Sequence, residues 1–424
     1  MGQCPDRDRL SEMGLQELTA HIRTGDTLVA GQVLGEPTHL LEELFGAVGG
    51  IADLRLFVGM SLTDVFRRAP SNVALLSSVG MSPNAELIAT GRMGLVPCHM
   101  SELPWLITEG PLKVDVALVR ASPPDPDGYC SLGVVSDYAW HAVQSARVVL
   151  AELNHNVPVV KGDTRVHESQ LTASIVSDRA LPEYLVAAPS SLEMAIGRNV
   201  ASYVHDGSCM QVGIGRLGEA VLRSIADRRD LGIHSGMVGD TFIEMVQAGI
   251  VTNARKRIDQ GLSVAGSILG SAKALSLWAE DPCLRLRSIS HTHALSTVEM
   301  LDDFVCVNSA LEVDLLGQVN AEYAGDRYVG AIGGSVDFLR ASVKAPGGHS
   351  IVALPSSTGN GRPRIVPLVR HATATRSDVD VIATEHGVAE LRGATTSQRA
   401  GRIIAIAAPE QRETLKLAAR KMGL

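Results

Sequence analysis

Cys209-Met210-Gln211-Val212-Gly213-Ile214-Gly215-Arg216-Leu217-Gly218 decides the fold. A short apolar run ends in closely spaced glycines and passes into Glu219 to Ile225, which reads as a helix. Gly213, Gly215 and Gly218 match G-x-G-x-x-G between strand and helix, a turn whose backbone N–H groups and helix dipole suit a phosphate-bearing ligand. A nicotinamide dinucleotide site also needs an acid about 20 positions on, at the end of the next strand. That strand, from Leu231, ends at His234-Ser235-Gly236 with no acid, so NAD is the least favoured ligand. A purely structural tight turn would need the same glycines.

The same alternation recurs on both sides of this stretch. Thr27 to Ala30 runs into Gly31-Gln32, and Glu36-Pro37 opens a helix from His39 to Phe45. Leu54 to Val58 runs into Gly59, while Val114 to Val119 and Val148 to Leu153 are further β-rich runs. After the glycine turn come the strand Leu231 to His234 and the helix Thr241 to Ala248. Strands alternating with helices predict a largely parallel sheet. Periodicity lapses at Leu181 to Ser191 and restarts in an amphipathic helix, Leu192 to Val204. The expectation is therefore α/β: two open, mainly parallel α/β domains, 1–185 and 186–424, with the active site in the cleft between them.

The 424 residues suit two cores, and 45% hydrophobic with 41 glycines suits close-packed α/β layers. A net charge of -8, with no basic run longer than Arg255-Lys256-Arg257, argues against nucleic acid. Met1 to Leu10 is polar, and no run of about 18 apolar residues follows, so a cytoplasmic protein with no membrane partner is expected. The six cysteines, Cys4, Cys98, Cys130, Cys209, Cys283 and Cys306, form no C-x-x-C pair. No histidine stands at metal-ligand spacing to them, so no metal is expected and most of the cysteines read as buried small hydrophobes, with Cys130 and Cys306 lying in motif regions.

Several long stretches carry a resemblance. They are GQVLGEP (Gly31 to Pro37), VDVALVRASPPDPDGYCSLG (Val114 to Gly133), MQVGIG (Met210 to Gly215) and AGIVTNARK (Ala248 to Lys256). They continue as VNSALEVDLLGQVNAE (Val307 to Glu322), AIGGSVDF (Ala331 to Phe338) and TEHGVAELRG (Thr384 to Gly393). Through them, Thr27 to Arg399 resembles the acetyl-CoA hydrolase/transferase family, which includes the 4-hydroxybutyrate CoA-transferases of the class I CoA-transferase superfamily. The resemblance implies transfer of coenzyme A between an acyl-CoA and a small carboxylate of the acetate, butyrate or 4-hydroxybutyrate class. It implies the CoA thioester as substrate, with no permanently bound cofactor, and a homodimer is expected. In the family a glutamate attacks the thioester and forms an acyl-glutamyl anhydride and then a glutamyl-CoA thioester, in ping-pong fashion. By position, Gly213, Ile214, Gly215, Arg216 and Leu217 match the first CoA loop, and Gly333 and Gly334 the second glycine loop beside the thioester. His349 falls where relatives can have Lys near the CoA phosphates.

The central residue departs from the pattern. Where relatives carry H-[TS]-E-M, this chain reads His234-Ser235-Gly236-Met237, so Gly236 takes the place of the catalytic Glu. His293, in Ser290-His291-Thr292-His293, replaces an Asn that relatives tend to have. Glu36 and Glu385 are candidates for a relocated nucleophile or base, and His293 for a base or hydrogen-bond donor. Asp64 and Ser61 are weaker candidates, while Glu312, Asp314 and the turn cluster Ser122 to Cys130 read as structural. Three functions stay open: transfer by a relocated carboxylate, hydrolysis by water activated at His293, Glu36 or Glu385, and silent binding of CoA esters.

Overall fold

The computed structural model describes residues 18–424 apart from residue 82; Cys4 and Met1 to Leu10 lie outside the described residues. The chain divides into two compact units. The first comprises the described residues of Met1–Cys98, with Glu102–Glu183 and Leu286–Ser288; the second comprises His99–Ser101, Tyr184–Arg285 and Ile289–Leu424. The main break thus falls at Glu183/Tyr184.

The first unit holds a seven-stranded sheet. Its spatial order is Met93–Leu95, Val73–Ser77, Leu54–Val58, Thr27–Ala30, Val116–Ala121, Val148–Asn154 and Ala173–Ser177, every pair parallel. The order reverses between Thr27–Ala30 and Val116–Ala121, so the loop after Ala30 opens at the switch point, where open α/β sheets favour ligands. Leu40, Leu41 and Leu44 of the helix Thr38–Ala47 bury their side chains against Leu28, Leu56 and Leu118 of the sheet. Each such burial contributes about 1.5–3 kcal/mol and fixes the helix over the sheet.

The second unit repeats the plan with an eight-stranded sheet. Its order is Leu284–Leu286, Ser263–Ile268, Gly232–Val238, Cys209–Val212, Phe304–Ser309, His349–Ala353, Val381–Thr384 and Gly387–Glu390. The strands from Ser263–Ile268 to Val381–Thr384 are parallel, and Gly387–Glu390 returns antiparallel. The switch point lies between Cys209–Val212 and Phe304–Ser309. A capping box starts the helix Ser191–Ala201: Ser190 Oγ accepts from Glu193 N, and the Glu193 carboxylate accepts from Ser190 N. One expectation needs correction. The strand expected to end at His234 runs on to Val238, paired Ser235 with Ala265 and Met237 with Ser267, so Gly236 lies inside a strand. Among the described residues no helix is long and apolar enough to cross a membrane.

Candidate active site

The glycine turn follows Cys209–Val212 at the switch point and leads into the helix Arg216–Ser224. Gly215 adopts φ +109, a conformation that L side chains rarely take. Gly218 is required for a different reason, because a Cβ there would run into the Gly213 carbonyl. Beside the turn, Gln211 and Asn308 exchange amide hydrogen bonds across neighbouring strands, Asn308 Nδ2 to Gln211 Oε1 at 2.9 Å and Gln211 Nε2 to Asn308 Oδ1 at 3.3 Å. A cavity of about 230 Å³ opens here, lined among others by Gly213, Gly215, Glu219, Arg223 and Met237. Burial raises the Glu219 carboxyl above its ordinary pKa. Arg216 turns to Glu193 at 3.2 Å.

Gly236 stands one strand over. Cys209 pairs with Gly232 and Met210 with Ile233, so the strand that carries Gly236 runs beside the one that leads into the glycine turn. A Cβ built on Gly236 would lie 3.0 Å from His293 Nε2 and 3.1 Å from its Cε1. A Cβ on Gly334 would be closer still to the same Nε2 and 3.5 Å from Met100 Cγ. The two motif glycines therefore converge on one imidazole. His293 Nδ1 lies 2.8 Å from Thr292 Oγ1, and its ring packs on Phe338 with centroids 4.7 Å apart. Burial pushes the His293 pKa down to about 3, so the ring is neutral at physiological pH.

The other sequence candidates lie elsewhere. Glu385 does follow the carboxyl end of Val381–Thr384, where its carboxylate accepts from Ser356 N at 2.9 Å and Ser356 Oγ at 2.6 Å. Its strand is four places from that of Gly236, roughly 19 Å at the spacing of neighbouring strands. His349 begins its strand, at the amino edge, opposite to the glycine turn, and its Nδ1 pairs with Asp380 at 2.9 Å. Asp314 is buried and caps its own turn through Leu316 N at 3.0 Å and Gln318 N at 2.9 Å, while Glu312 accepts from Asn320 at 3.0 Å. Both carboxylates are thus engaged within their own strand-and-turn segment.

In the first unit Glu36 is fully buried in the loop after Thr27–Ala30. It accepts from Ser61 Oγ at 2.5 Å and from Thr63 Oγ1. Desolvation outweighs these bonds and the nearby Arg120, and raises the Glu36 pKa to about 7. Arg120 ion-pairs with Glu152 at 3.1 Å, both side chains almost wholly buried, and Glu152 also accepts from His39 N at 2.8 Å at the start of a helix. Asp64 pairs with Arg67 at the surface. Asp125 organises the expected turn by accepting from Asp127 N at 3.0 Å and Tyr129 N at 2.9 Å.

Sequence reasoning missed the network behind Gly236. His234 Nε2 lies 3.0 Å from Thr292 O; a carbonyl only accepts, so Nε2 carries the proton. His291 pairs with Asp259 at 2.8 Å, and the buried Lys256 donates to Ile233 O at 2.9 Å and Leu262 O at 2.8 Å. His234, Asp259 and His291 offer ligand atoms within 4.8 Å of one another, a grouping that no metal-ligand spacing in the sequence announces. The Lys256 ammonium beside them opposes a cation, and the arrangement reads as an ion-pair network that holds Thr292 and thereby His293. The signal available in the sequence was the pair His291 and His293 beside the His234 motif.

The N-terminal domain of the acetyl-CoA hydrolase/transferase family matches residues 8–187, and its C-terminal domain matches residues 270–419. The chain is 38% identical over 334 residues to the 4-hydroxybutyrate coenzyme A transferase of Clostridium kluyveri, covering 78% of each chain. Among solved structures it is similar to RipA from Yersinia pestis, with a TM-score of 0.92 at 30% identity over 99% of both chains. It is also similar to the 4-hydroxybutyrate CoA-transferase of Porphyromonas gingivalis, with a TM-score of 0.81 at 31% identity, covering 98% of this chain and 100% of that one.

Proposed function

We propose that this chain, which belongs to the acetyl-CoA hydrolase/transferase family, cleaves the CoA thioester of a small carboxylic acid by attack of water, releasing the acid and free CoA. One observation carries the choice of hydrolysis over transfer. At the place where the resemblance implies the nucleophilic glutamate there is Gly236, and the ring of His293 fills the space a side chain would need. Glu385 is held by Ser356 several strands away, and Glu36 is buried with its oxygens engaged, which argues against either as the replacement. Water takes the vacated role: its oxygen bonds to the carbonyl carbon, the C–S bond breaks, and the departing thiolate receives the proton the water loses.

In this proposal the turn Gly213 to Leu217 and the loop Gly333-Gly334 receive the CoA ester, as the resemblance implies. We take the protein as a cytoplasmic homodimer with no permanently bound cofactor. The test is to incubate the purified chain with acetyl-CoA, butyryl-CoA and 4-hydroxybutyryl-CoA, with and without acetate as acceptor, while following free thiol. Thiol release without acceptor is expected. CoA transfer that occurs only with acceptor would return the transferase reading, and neither reaction would leave a CoA-ester binding protein.

A further inference from the structure

We propose that His293 donates its Nε2–H to the carbonyl oxygen of the bound thioester and stabilises the negative charge that develops there during attack. This rests on the chain being a CoA-thioester enzyme, but not on which nucleophile attacks. His293 Nε2 faces the backbone of Gly236 and Gly334, two positions at which no side chain intervenes. Among the described residues it makes no hydrogen bond there, while Nδ1 is engaged by Thr292 Oγ1 at 2.8 Å. We take the tautomer in which the Thr292 hydroxyl donates to Nδ1, which places the single proton of the neutral ring on Nε2.

The ring is held from several sides. Phe338 packs against its face, and the His234 bond to Thr292 O fixes the turn that carries it. A donor fixed before the reaction is worth most in a water-poor site, since nothing must reorganise as charge appears. A general-base role fits less well: with its pKa near 3 the ring binds a proton too weakly to take one from water efficiently. A neutral imidazole donor is the role for which a depressed pKa is an advantage, because the ring stays uncharged and oriented. In the step itself the attacking oxygen bonds to carbon and the C=O pair moves onto oxygen, opposite the Nε2–H. Collapse then restores the carbonyl and expels CoA, and His293 neither gains nor loses a proton.

The test uses [1-¹³C]acetyl-CoA and rapid-mixing isotope-edited infrared spectroscopy of the whole protein. Bound to the unaltered chain, the thioester carbonyl stretch should move to lower frequency than in free acetyl-CoA. His293→Leu should abolish the shift, and His293→Gln, which keeps an N–H donor, should retain part of it. Dissociation constants should stay within about threefold, while kcat falls by about 10²- to 10³-fold in His293→Leu and less in His293→Gln. An unshifted carbonyl, equal shifts in the unaltered and folded variant chains, or no binding of acetyl-CoA would overturn the proposal. Because the shift is read on bound ester, it is visible whether or not thiol is released, so failure of hydrolysis and failure of the donor are separate results.

Discussion

The imidazole of His293 stands against the backbone of Gly236, where a side chain at 236 would have to begin: Nε2 is 3.0 Å and Cε1 3.1 Å from the position of a Cβ. Gly236 itself lies in an extended strand without positive φ, so a larger residue meets a packing obstacle and no backbone one. Gly236→Glu should therefore lower stability by about 1–3 kcal/mol through overpacking, and reduce thiol release. Adding His293→Ala should relieve much of that loss. Urea unfolding of the two single variants and the double variant gives the coupling, which should be at least about 0.5 kcal/mol. Strictly additive effects would mean that the two positions do not share the space.

The glycine turn separates two reasons for glycine. Gly218→Ala pushes a methyl group into the Gly213 carbonyl and should unfold the chain at markedly lower urea concentration. Gly215→Asp meets no atom within 4 Å but places a carboxylate in a strained φ of +109, so it should cost about 1 kcal/mol or more. It should also weaken acyl-CoA binding by charge repulsion, measured by titration calorimetry. Unchanged affinity in folded Gly215→Asp would remove this turn from the ligand site.

Glu36 sets a pH dependence whose sign is fixed by its raised pKa. Between pH 4.5, its ordinary value, and about pH 7, the folded chain holds a proton that the unfolded chain has lost. Its contribution is thus fully present below pH 4.5 and is lost as pH rises through about 7, a change of about 3 kcal/mol. His234 and His293, both depressed to about 3, act in the opposite direction, gaining stability as pH rises from 3 to 6.5. The Glu36 effect is therefore read as the difference between the unaltered chain and Glu36→Gln at pH 5 and pH 8. Parallel stability curves for the two would show that Glu36 is ionised at both.

Arg120 and Glu152 form an ion pair whose side chains are 2% and 0% exposed. Arg120→Met should destabilise the first unit by about 3–5 kcal/mol, because Glu152 is left charged and buried. Replacing both residues by apolar ones should recover much of that loss. A single variant with unchanged thermal stability would contradict the assignment.

The strand runs Thr27 to Ala30, Leu54 to Val58 and Cys209 to Val212 were legible to the residue, because each apolar run is closed by glycine or by charged and polar residues. The strand through Gly236 was cut short in the sequence because glycine and serine weaken the β pattern, whereas pairing to Ala265 and Ser267 carries it on to Val238. The meeting of Gly236, Gly334 and His293 was not legible, since these residues are brought together only by the order of strands in the sheet. Arg120 offered an unused signal: a guanidinium inside the apolar run Val116 to Ala121 requires a buried partner, which is Glu152.

In the proposed hydrolysis water, and no glutamate, attacks the thioester. A single turnover of acetyl-CoA with the protein in excess in H₂¹⁸O tests it most directly, followed by mass spectrometry of the released acetate and of the proteolysed chain. Attack by water predicts one ¹⁸O in the acetate and none in any peptide. Unlabelled acetate together with ¹⁸O in a peptide containing Glu36, Glu385 or another glutamate would contradict it, since that pattern requires an acyl-glutamyl intermediate opened by water at the enzyme's own carboxyl.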